Sequence, residues 1–74
     1  MITGIEKLEF VGLYDVTDQF GKLYKHLCFE MFDRRNDGSG FVVFSDPVSQ
    51  EFFYFDESIA ETVIEFAGIQ YQKS

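Results

Sequence analysis

With 74 residues, this chain sits near the lower limit for a domain that folds alone, where only about 60% of the unfolded surface becomes buried. Thirteen acidic against six basic residues give a formal charge of −7, a balance that argues against direct nucleic-acid binding, which needs Lys and Arg on phosphates, and against anionic membranes. One Cys cannot form an internal disulfide, while ten Phe and four Tyr supply apolar area for a small core at about 25 cal/mol per Å² buried.

No apolar run approaches the roughly eighteen residues of a membrane span, and no signal-peptide pattern opens the chain. The expectation is one soluble domain over residues 1–74, made in a reducing cytoplasm. Charge is uneven along it. Residues 1–35 hold five basic and six acidic groups, whereas residues 36–72 hold seven acidic groups and no Lys or Arg. Such a surface points to a basic partner, or to solubility alone.

In chain order, Leu8, Phe10, Tyr14 and Val16 alternate with Glu9 and Asp15, which predicts a strand over residues 5–16 with a bulge or close approach at Gly12. Thr17 to Lys22 offers a turn in which Gly21 can take a positive φ. Leu23 to Asp33 reads as a strand at period two. At period 3.6, Phe20, Leu23, Tyr24, Leu27, Cys28 and Met31 form a helical stripe capped by Thr17 or Asp18. The strand is preferred, because Gly21 would weaken an early helical turn by about 1 kcal/mol.

Arg34 to Gly40 is a polar, Gly-rich connection into Phe41-Val42-Val43-Phe44, and Ser45 to Gln50, with Pro47, turns the chain into Phe52-Phe53-Tyr54-Phe55. Both runs are apolar on both faces. Beyond them, Ile59, Ala60, Val63, Ile64 and Ala67 recur at helical spacing, with Ser58 and Glu61 as a capping box, Asp56 as a competing cap and Gly68 as a left-handed stop. The predicted fold class is therefore α+β: a small antiparallel sheet of three or four strands with one C-terminal helix packed on one face. The order is β-β-β-β-α, with β-α-β-β-α as the alternative.

Three candidate sites follow from the residues. Asp33, Asp37 and Gly38 match the opening of an EF-hand loop, but Arg35 stands where an oxygen ligand belongs and Phe44 where the bidentate Glu belongs. A tight turn explains the same letters. His26, Cys28 and Glu30 share one face of a strand, yet no second His or Cys completes a zinc set and no orienting acid completes a catalytic pair. The chain is accordingly read as non-enzymatic, with no metal and no cofactor.

The third candidate is a partner surface. Glu57, Glu61 and Glu65 recur every four residues and would stack along one helix face, with Asp46, Glu51 and Asp56 extending the acidic strip and Phe53 and Tyr54 as aromatic anchors. A solvated face is the simpler explanation of the glutamates. One helix can cover one face of the sheet only, which would leave aromatics on the other face for an interface, unless the long first hairpin curls over that face or Leu23 to Asp33 is a helix that covers it. Two readings stay open: a binding protein or inhibitor that docks on a basic, nucleic-acid-handling protein or nucleoprotein complex, and a homodimeric structural or accessory subunit whose sheet faces pair.

In general character, the stretch from Asp46 to Glu65 resembles the small acidic α+β inhibitors encoded by phages and mobile elements, anti-CRISPR proteins among them, in size, charge and element order. The resemblance implies a stoichiometric inhibitor that blocks a host defence complex at a nucleic-acid-binding surface, acting in the host cytoplasm if phage-encoded. It carries no shared motif, so no residue's role follows from it.

Overall fold

The computed structural model describes Leu8 and residues 12–70, the side chains of 69 and 70 aside. Five strands follow one another: β1 (Gly12–Thr17), β2 (Leu23–Arg34), β3 (Gly40–Ser45), β4 (Phe52–Asp56) and β5 (Val63–Gln70). They form one antiparallel sheet in the order β4-β3-β2-β1-β5. Of the strand expected over residues 5–16, the part from Gly12 onward is β1; Phe10 and the rest, Leu8 aside, lie outside the described residues.

Local chemistry sets the hairpins. Asp18 accepts the amide of Gly21 through its carbonyl and the amides of Phe20 and Lys22 through Oδ1, and Gly21 takes φ 83°. The β2–β3 turn repeats the device: Gly38 takes φ 92° and donates to the Arg35 carbonyl, while Asp37 Oδ1 receives the Ser39 amide. In the β3–β4 turn, Asp46 Oδ1 accepts the amides of Val48 and Ser49 around Pro47. Leu23–Arg34 is a strand, the reading preferred over the helical stripe.

The fold class is corrected at the C-terminal side: the described residues hold no helix and form an all-β sheet rather than an α+β domain. Asp56 does cap, but it caps a turn. Its Oδ1 takes the Ser58 amide and its carbonyl the Ile59 amide, after which Ile59 accepts from Thr62 and a second turn closes. Val63 then enters β5. The β-branched run Thr62-Val63-Ile64 favours a pleated surface, and a helix of ten to twelve residues with like charges four apart would be marginal by itself. Pairing with β1, from Thr17↔Val63 to Gly12↔Gln70, satisfies this backbone instead. Gly68 does adopt a left-handed conformation, φ 78°, inside β5 rather than at a helix end.

Without a helix, the sheet covers its own inner face by curling. Strand β2 is the means: its first half pairs with β1 and its second half with β3, with Cys28 facing Leu13 on one side and Ser45 on the other. Bulges interrupt the register at Lys25–His26, where His26 takes φ 57°, and at Glu30. Such bulges bend a strand and increase its twist. The curl brings Tyr24 of β2 within 5.2 Å of Phe53 and 5.3 Å of Phe55, ring centre to ring centre, although β3 lies between those strands.

The core is the concave side, where Tyr14, Val16, Leu27, Phe29, Val42, Phe44, Phe55 and Ile64 pack together from all five strands. Phe44 is fully buried at its centre and meets Tyr14, Phe29 and Phe55 edge-on. Pairs of this kind contribute about 0.5–1.5 kcal/mol each beyond their buried area.

Candidate functional site

Partners across an antiparallel ladder share a face, so the register lays out the outer, convex side in rows. Met31, Val43 and Tyr54 form one row, Cys28, Ser45 and Phe52 a second, and Asp33, Phe41 and Asp56 a third. Val43 is 1% exposed at the centre of this face, while Met31, Phe52 and Tyr54 around it are each close to half exposed. Phe41 and Tyr54 lie 6.4 Å apart, ring centre to ring centre. The result is an apolar patch on the β2–β3–β4 half of the sheet with carboxylates at its margin.

Those carboxylates are held in place. Glu30, in the β2 bulge, accepts the Ser45 hydroxyl. Asp33 accepts from Arg35 Nη2 at 3.4 Å, and the Arg35 guanidinium lies 5.0 Å from the Phe41 ring centre. Asp56 takes the Ser58 amide and hydroxyl, which hold its pKa below the ordinary value of 3.8. It is therefore charged at neutral pH. Asp37 is lowered likewise, first by the Ser39 hydroxyl and then by the Ser39 amide.

The expected acidic strip is not assembled as a helix face. Glu57 packs over Gly40 and pairs with Arg34, Nη2 to Oε2 at 3.3 Å, an exposed bridge worth about 0–1 kcal/mol. Glu61 is exposed in the β4–β5 connection, and Glu65 stands on β5 opposite Asp15, at the far edge of the strand order from β4. Asp46 is occupied in its turn and Glu51 is exposed just before β4. Phe53 points inward against Tyr24, whereas Tyr54 and Asp56 share the convex face. Met31, Phe41 and Phe52 were not among the expected partner residues. Alternation within Phe52-Phe53-Tyr54-Phe55, counted from the buried Phe55, is the signal for Phe52; Met31 and Phe41 follow from the strand register.

The other two candidates resolve into structure. Asp37 Oδ1 serves Ser39 in a hairpin turn, not an EF-hand loop. His26 is exposed in its bulge with its amide on Asp15 Oδ1, Cys28 is buried opposite Ser45, and Glu30 accepts the hydroxyl of that same Ser45. Among the described residues, no group of three or more His, Cys, Asp and Glu side chains could hold a metal.

At the edge of the convex face lies a groove of about 220 Å³ between the β1–β2 turn and the β4–β5 connection. Asp18, Phe20, Tyr24, Phe55, Asp56 and Ile59 line it, together with Tyr54, Gln19 and Thr62. Phe20 is 85% exposed at the tip of its turn. A Phe in that place, between Gln19 and Gly21, is the sequence signal for this groove.

With the C-terminal helix gone, the element order that supported a likeness to anti-CRISPR proteins no longer holds. Comparison of the chain with protein families, with curated proteins and with solved structures yields no match.

Proposed function

We propose that this chain works by binding another protein, one with a basic surface, through the convex face of β2, β3 and β4. The observation that carries this is the patch of Met31, Phe52 and Tyr54 around the buried Val43, with Asp33 and Asp56 at its margin. An apolar centre with a polar rim is the anatomy of a protein interface, and half-exposed aromatic and Met side chains are its usual anchors.

Charge selects the partner. Arg34 and Arg35 are already engaged by Glu57 and Asp33, and the chain carries −7 overall. Pairing two copies through this face would bring together two chains that each carry −7, an arrangement that like-charge repulsion opposes. A partner rich in Lys and Arg meets the acidic margin favourably. Covering such a surface would inhibit a protein that uses it for nucleic acid.

The test places a photo-crosslinking benzoylphenylalanine at Tyr54 and, as control, at Val48, which is 91% exposed on the β3–β4 turn. The expected result is a crosslink from position 54, but not from 48, to a peptide of another protein that carries Lys or Arg, with capture falling as salt rises. A crosslink from 54 to a second copy of the chain would establish the homodimer instead. Equal capture from both positions would remove the face from consideration.

A further inference from the structure

The chain seats its own arginines in one way, twice. Arg34 lies with its guanidinium 4.7 Å from the Phe32 ring centre while Nε and Nη2 fork onto the Glu57 carboxylate. Arg35 lies 5.0 Å from the Phe41 ring centre while Nη2 reaches Asp33. In both, the guanidinium carbon lies over an aromatic ring while a guanidinium nitrogen donates to a carboxylate, a combination to which the planar, five-donor arginine is suited better than lysine.

The groove between the β1–β2 turn and the β4–β5 connection has the same parts without an arginine. Its rings are Phe20, Tyr24 and Phe55, and its carboxylates are Asp18 and Asp56. Asp18 Oδ1 is committed to two turn amides and its Oδ2 receives the Tyr24 hydroxyl at 3.5 Å; Asp56 Oδ1 is committed to Ser58. The turns thus fix both carboxylates. Lys22 is drawn to 4.9 Å from the Tyr24 ring centre, yet it makes no ion pair among the described residues, which leaves both charges open. Phe20, 85% exposed, adds nothing to the core.

From this we infer that the groove is the seat of an arginine side chain presented by the partner protein, its guanidinium stacked on the rings and its edge directed to Asp18 and Asp56. The inference rests on the protein-binding reading and gives it a chemistry: Tyr54 and Asp56 belong to both surfaces, so the arginine would enter beside the apolar patch. About 220 Å³ suits one side chain rather than a folded segment.

The test is a titration of the ¹⁵N-labelled full chain with acetyl-Gly-Arg-Gly-amide, followed by amide chemical shifts, with the lysine and citrulline peptides alongside. A single side chain binds in the millimolar range, so titration extends to about 20 mM. The expected result is shifts confined to residues 18–24 and 54–62, weaker with lysine and absent with citrulline, which keeps the shape and loses the charge. D56N and F20A, both at exposed positions, should each weaken binding about two- to five-fold, the range of an exposed charge pair or cation–ring contact. Absent or scattered shifts, equal shifts with citrulline, or wild-type affinity in both variants would overturn the inference. A null titration beside a successful Tyr54 crosslink would sink the arginine seat alone. Arginine binding without that crosslink would count against the convex face and leave the groove.

Discussion

At Gly12 the first strand has no room for a side chain. A Cβ built there would come within 2.9 Å of the Tyr14 ring and hydroxyl, and Tyr14 is 4% exposed with rings of Phe44 and Phe66 about it. The ring cannot swing away into solvent without leaving the core. G12A is expected to destabilise the protein by about 1–3 kcal/mol, the usual cost of overpacking. The same change should cost less beside Y14L, because the two positions share one volume. Urea unfolding of the wild type, the two single variants and the double variant measures both quantities. An unchanged midpoint for G12A would show that the ring moves freely.

At the scale of elements, the hairpins were legible because their signals are local. Gly21, Gly38 and Pro47 sit beside Asp and Ser side chains that accept backbone amides two to four residues on. Strand β5 was not legible. Ile59, Ala60, Val63, Ile64 and Ala67 satisfy a helical period on paper, and what overrides it is a ladder with β1, some fifty residues earlier, that no local pattern can report. Glu65 carries the consequence, for it stands directly opposite Asp15 instead of along a helix face. Like charges facing across a ladder are destabilising, and opposite charges contribute roughly 0.2–1 kcal/mol. E65K should therefore stabilise the protein by about 1 kcal/mol at low salt, read from the urea midpoint, with the gain shrinking in 0.5 M NaCl. In a helix with Glu61 one turn away, the same change would raise helicity by circular dichroism; here the spectrum should keep its β form.

At the scale of the whole molecule, the excess of aromatics is explained by a sheet that must bury one face on itself. Phe44, Phe55 and Tyr14 fill that interior, while alternation sends Tyr54 and Phe52 outward to form the convex patch. The sequence read aromatics left over opposite a helix; the ones left over lie opposite the curl instead. Beyond the lone signal of Phe20 in its turn, the groove was illegible because its walls come from segments thirty or more residues apart, joined only by that curl. Charge acts at the same scale. The radius of gyration is 11.7 Å, close to the Debye length of about 10 Å at 0.1 M salt, so at low salt each carboxylate feels many of the others. The two ion pairs among the described residues are exposed and contribute little against this repulsion. Raising NaCl from 20 mM to 0.5 M should therefore raise the Tm by several degrees, since about 1 kcal/mol corresponds to roughly 4–8 °C in a domain of this size. Chloride is the appropriate salt, because sulfate strengthens apolar burial in any protein. A Tm that falls with NaCl would mean that attractive pairs dominate the surface, and the case for a basic partner built on unanswered carboxylates would fall with it.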